Sequence, residues 1–197
     1  VTLASAISSS NDAISFGAVT LGANTTIDTN ASSTTGDLTL GVVTGGSNTL
    51  TLSTGNNVNN SDITASGNIS GVTTLILSDV GGTATFSNTV STTDLTIGNT
   101  VANVTFSNNL TSTNAVSFAN DGALTFSNDG ATRSFNGGIT TTSVGGTVTL
   151  SGTLQTSNDV ITLGSVSLVG NTTIDTNASS TTGDLTLGVV TGGSNTL

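Results

Sequence analysis

The 197-residue chain draws on few residue types: Thr (43), Ser (28), Asn (22) and Gly (25) supply about 60 % of it, and eleven Asp against one Arg give a net charge of −10. Glu, Lys, His, Cys, Met, Trp, Tyr and Pro are absent, which removes the usual general bases near neutral pH, nucleophile–histidine sites, imidazole or thiolate zinc sites and any disulfide framework. One cation and six Phe cannot release counterions from a nucleic acid or stack along it.

The chain nevertheless has the composition of a folded protein, because only 6 % of its residues are charged and its mean hydropathy is positive, at +0.23. Short runs of Thr, Val, Ile, Leu and Phe alternate and are punctuated by Gly, Asn and Asp, which predicts strands and turns. Good helix formers are missing from every window, so the predicted class is all-β. No apolar run approaches the roughly 20 residues of a membrane helix, and no charged-then-apolar leader stands at Val1.

In chain order, the first predicted strands lie in NDAISFGAVTLGA (11–23). The next stretch, NTTIDTNASSTTGDLTLGVVTGGSNTL at 24–50, recurs without a change at 171–197, an offset of 147. Extending the match backwards pairs 1–23 with 148–170. Apolar character persists there: Ile7 matches Leu154, Ala13 Val160, Phe16 Leu163, Val19 Val166 and Leu21 Leu168. In the first copy the strand-like run continues as TLTLS, whereas the second stops at Leu197, the counterpart of Leu50. This predicts one repeat unit over 1–147 and the start of the next over 148–197, within a single continuous array.

Residues 53–71, STGNNVNNSDITASGNISG, fit any finer register poorly and read as a looser coil or a lateral loop. Beyond them a shorter period appears. Phe86, Phe106, Phe126 and Leu150 coincide at spacings of 20, 20 and 24, as do Ala84, Val104, Leu124 and Val148 two residues earlier, with Thr85, Thr105, Thr125 and Thr149 between them. Alternation puts the two apolar sets inside and the Thr set outside. Two residues after each Phe stand Asn88, Asn108 and Asn128, then Gly152, which predicts a corner with positive φ.

Such periods describe the coils of a β-solenoid of about 20–24 residues each, in which every strand bonds to the coil above and below and the apolar residues form one internal column. At about 21 residues per coil and roughly 4.8 Å per coil, a 147-residue unit makes about seven coils, roughly 34 Å long. Asn residues at equivalent corners are expected to form side-chain ladders along the axis.

In its Thr/Ser/Asn/Gly richness, its F-S-N and L-T-L runs and its lack of Cys and Lys, the whole chain resembles the repeat regions of large bacterial surface proteins, the filamentous-haemagglutinin-like exoproteins and autotransporter passengers. The resemblance implies a right-handed parallel β-helix, export to the cell surface, and work in adhesion, biofilm or fibre formation. It carries over no functional residue.

Few side chains qualify as a site. Asp37, Asp184, Asp121, Asp129 and Asp159 stand beside Gly or Asn and read as turn-capping, solvating residues, with calcium held by Asp and turn carbonyls as the alternative. GGSNTLTLS at 45–53 matches a calcium-binding nonapeptide only superficially. Thr-x-Thr triplets at 49–51, 83–85 and 147–149 read as strand hydroxyls, with an ice-binding array as the alternative. Asn-x-Ser/Thr patterns at Asn24, Asn30, Asn59, Asn68, Asn103, Asn109, Asn171 and Asn177 are as frequent as composition alone gives. Arg133 reads as a surface residue paired with a nearby Asp, and a single Arg cannot supply the basic cluster of a polysaccharide lyase.

The sequence therefore predicts no catalytic, cofactor-binding or metal residue. The expected function is that of a non-enzymatic structural repeat, the shaft of an extracellular fibre or giant surface protein that bundles laterally. The expected partners are the chain itself, through coil stacking and lateral or head-to-tail contact, and the cell surface or extracellular matrix; no nucleic acid and no membrane span are expected. Two alternatives stand beside this reading: the stalk of an adhesin with its tip elsewhere, and an ice- or polysaccharide-binding solenoid.

Overall fold

Alternating apolar and hydroxyl residues produce strands along the whole chain. The computed structural model describes residues 1–30, 36–55, 60–177 and 183–197, and among these it contains strands and no helix. The pairings between successive coils are parallel, so the protein is a parallel β-helix, a β-solenoid of about eight turns. Val, Ile, Leu and Phe point inward and form one continuous core from Leu3 to Leu168.

Each coil places strands on three faces. The first face begins at Ile14–Phe16 and Leu38–Leu40, and continues through Ile63–Ala65 and Leu124–Phe126 to Val190–Thr191. The second carries Val19–Leu21, Leu110–Ser112 and Thr132–Phe135. The third carries Thr25–Asp28, Val116–Ser117, Ile139–Thr140, Ile161–Leu163 and Leu185–Leu187, the last four forming a separate small sheet. Longer strands such as Ile69–Phe86 and Val90–Phe106 run through all three positions with bulges at the corners.

The register agrees with the Phe and Thr alignment. Phe86, Phe106 and Phe126 occupy one column, Ala84, Val104, Leu124 and Val148 another, and Thr85, Thr105, Thr125 and Thr149 the outward position between them. The Phe rings stack, with centroids 4.9 Å apart for Phe86–Phe106 and 5.9 Å for Phe106–Phe126, and Phe118 packs edge-on against Phe106 and Phe126. Coil length varies more widely than expected, from 18 residues between Val148 and Val166 to 26 between Val43 and Ile69, because the corners absorb insertions that the strands cannot.

Two local expectations need correction. Of the four residues predicted to need positive φ, only Asn128 (φ 100°) and Gly152 (φ 76°) have it. At Asn88 the side chain instead donates to the Ser66 carbonyl at 2.6 Å, and at Asn108 it accepts the N–H of Asn109 at 2.9 Å, so each corner is held by its own amide. Within 53–71, Ser61 is buried, Ile63–Ala65 pairs with Leu38–Leu40, and Ile69 pairs with Val43. That stretch thus belongs to the coil, apart from residues 56–59, which lie outside the described residues.

The 147-residue repeat does not close on itself. Seven turns up the first face lead from Ile14 through Leu38, Ile63, Ala84, Val104, Leu124 and Val148 to Val166. Val166 is the counterpart of Val19, which lies on the second face, while Ile161, the counterpart of Ile14, lies on the third, above Ile139. One unit therefore stops a face short of seven turns, and the second copy is turned by one face relative to the first. Local packing survives the turn: the Asn48 amide donates to the Leu21 carbonyl at 3.1 Å, and Asn195 makes the same bond to Leu168 at 2.9 Å.

Candidate functional site

At the corners, the side chain that precedes a strand bonds to the next coil. The Oδ1 atoms of Asn24, Asn68, Asn103, Asn109 and Asn171 accept the N–H groups of Thr49, Thr89, Ala123, Thr132 and Thr196 at 2.9–3.2 Å. Asp37 accepts the N–H of Asp62 at 2.9 Å, and Asp62 that of Thr83 at 2.7 Å. These ladders run from side chain to backbone, not from amide to amide as expected, because a corner leaves a backbone N–H with no strand carbonyl in the coil below to receive it. Five of the eight Asn-x-Ser/Thr asparagines serve this role, Asn30 and Asn177 take positive φ, and Asn59 lies outside the described residues.

The carboxylates gather along one edge. Asp12, Asp28, Asp37, Asp62, Asp79 and Asp121 lie on the corner between the third and first faces, while Asp159, Asp175 and Asp184, the counterparts of Asp12, Asp28 and Asp37, lie between the second and third. The acidic edge thus turns with the repeat. Among the described residues no three acidic side chains converge as a cation site; two stand apart from these edges in the first unit, Asp94 on the corner between the second and third faces and Asp129 on the corner between the first and second. The 45–53 segment is a corner at 45–48, in which Gly46 and Ser47 have positive φ and the Asn48 amide donates to Gly45 and Gly46, followed by third-face strand at 49–53.

The first face is flat and uncharged along its centre. Ser15, Thr39, Thr64, Thr85, Thr105, Thr125, Thr149, Ser167 and Thr191 form one unbroken outward rank. The Thr-x-Thr triplets do not align as a set, since Thr83–Thr85 and Thr147–Thr149 fall on this face and Thr49–Thr51 on the third. A Ser or Thr nonetheless takes this position in every coil, a feature visible only once corner insertions are removed; the Thr149 Oγ1 is buried instead of presented.

Arg133 is not a surface residue. It occupies an inward position between Leu110 and Leu154 and is 1 % exposed. Its Nη1 donates to the carbonyls of Asn128 (3.2 Å), Ala131 (3.5 Å) and Ser151 (2.6 Å), and its Nη2 to those of Phe106 (3.3 Å) and Ser127. The guanidinium carbon lies 5.8 Å from the centre of the Phe126 ring. Burial pushes its pKa down to about 10, with the Asp129 charge acting in the opposite sense, which leaves it charged at neutral pH. The alternation of Ala131, Arg133 and Phe135 was the available signal that the side chain points inward.

Two shallow depressions, of about 200 and 380 Å³, lie on the surface; the first is bordered by Ser47, Thr73, Ser91 and Thr113, the second by Thr147, Ser165 and Val189. Both are lined by hydroxyls, backbone and small apolar groups. Comparison with known protein families, with curated proteins and with solved structures gives no match.

Proposed function

We propose that the chain is a structural repeat region, the shaft of an extracellular fibre or giant surface protein of the kind the sequence resembles. The supporting observation is the way side chains are used: apolar residues fill one continuous core, corner Asn and Asp tie coil to coil, and the carboxylates lie mostly along an edge. Each coil thereby supplies both the core and the hydrogen-bonding template for the next, so the architecture extends along one axis. The uncharged first face offers a side on which shafts could lie together without bringing like charges into contact. Antibodies raised against the folded chain, applied to unpermeabilised cells that make the protein, are expected to decorate extended surface structures; labelling only after permeabilisation would overturn the reading.

The hydroxyl rank favours a second reading, in which the first face orders water or ice. Hydroxyls repeat along it at the coil spacing of roughly 4.8 Å, from Ser15 to Thr191. Binding of polysaccharide is less well served: Phe86, Phe106, Phe118, Phe126 and Phe135 are fully buried and Phe16 half-buried, which leaves no aromatic platform for a sugar ring. Thermal hysteresis of the purified chain, abolished by Thr85→Lys with Thr125→Lys, would support the ice reading; freezing without hysteresis removes it.

A further inference from the structure

The coil around Arg133 differs from its neighbours in corner length. From the inward residue that ends the first-face strand to the inward residue on the second face, the chain takes four steps at Phe86 to Val90, Phe106 to Leu110 and Leu150 to Leu154, but seven at Phe126 to Arg133 and six at Leu168 to Ile174. The corner between the third and first faces is wide both below and above this coil, at 78–83, 98–103, 119–123 and 142–147, and narrows only at 164–165. The corner at 127–131 is thus wide where those in the coils directly below and above it are tight.

We propose that Arg133 holds this wide corner open and so fixes the register of its coil against the coil below. A wide corner leaves a hollow lined by carbonyl oxygens, of which those of Phe106, Asn128 and Ala131 each also accept one backbone N–H, from Ser127, Ala131 and Thr153. The Arg133 guanidinium fills it, taking carbonyls from three successive coils: Phe106 below, Ser127, Asn128 and Ala131 within the same coil, and Ser151 above. The coil above makes room, since Gly152 has φ 76° and a Cβ there would lie 2.6 Å from the Ala131 and Asn128 carbonyl oxygens and 2.9 Å from Arg133 Nη1. Only a planar fork satisfies so many acceptors in different directions. A leucine at this position, as in the coils on either side, would donate to none of them.

The absence of cysteine from the sequence makes disulfide formation between introduced pairs a clean reporter of register. Thr111 and Ser134 are partners between the coil in question and the one below it, and Thr85 and Thr105 are partners between the coils two and one below it; adjacent strands are close enough for a bridge. With Arg133 present, Thr111→Cys with Ser134→Cys and Thr85→Cys with Thr105→Cys should both oxidise. With Arg133→Ala, the first pair is expected to lose its bridge while the second keeps it, and millimolar guanidinium, but not urea, is expected to restore the first. If Arg133→Ala unfolds the chain and both bridges fail, their joint recovery in guanidinium carries the same meaning. Undiminished oxidation of the first pair in Arg133→Ala would overturn the proposal, as would a loss that guanidinium does not reverse.

Discussion

At the scale of single residues, Asn and Asp act here as backbone substitutes. Asp37, Asp62 and Asn103 occupy equivalent corner positions in different coils and each offers Oδ1 to a backbone N–H of the next, so the position selects an acceptor and not a charge. Asn103→Asp is therefore expected to leave stability nearly unchanged, while Asn103→Ala leaves the Ala123 N–H without its partner and costs about 1 kcal/mol. Urea denaturation of the two variants checks this, and equal losses in both would show that the amide N–H₂, and not the shared oxygen, matters. Arg133 illustrates the opposite case, a residue whose type misleads. The sequence around it alternates correctly, but the prior that an arginine lies at the surface overrides the pattern unless the hollow it fills is known.

At the scale of strands and coils, the first face was legible because its inward residues are Phe and Leu, its outward residue is Thr or Ser, and its register from Ala84 to Val148 needs no bulge. Corner lengths were not legible, because Asn, Gly, Ser and Asp serve both tight and wide corners and only the bonds they make distinguish the two. The stack of Phe86, Phe106 and Phe126 lies in the best-defined part of the core. Phe106→Ala removes its middle ring and should destabilise the chain by about 3–5 kcal/mol. Because each coil contacts mainly its neighbours, the loss should be local: hydrogen exchange is expected to accelerate first in Ile69–Phe86 and Leu124–Phe126, with Leu38–Leu40 protected longer. Uniform acceleration along the chain would mean that the coils unfold as one unit.

At the scale of the molecule, the duplication at an offset of 147 was plain, yet its geometric consequence was not. Division of length by mean coil size gives a number near seven but cannot resolve a third of a turn, and that third decides which side of the molecule a residue faces. Asp37 and Asp184 stand in identical sequence but on different edges, so the acidic edge winds around the axis instead of running straight. With the one arginine buried, the side-chain charge left at the surface is carboxylate, and raising NaCl from low ionic strength to about 0.15 M should increase the melting temperature by screening that repulsion. A melting temperature that does not move would place the carboxylates too far apart to interact.

The extended solenoid itself is tested most directly by cryo-electron microscopy of the native material. Filaments or rods with an axial repeat of roughly 4.8 Å, in which successive 147-residue units rise by roughly 32 Å and turn by a third of a revolution, are the expected result. Compact particles built from antiparallel sheets would contradict it.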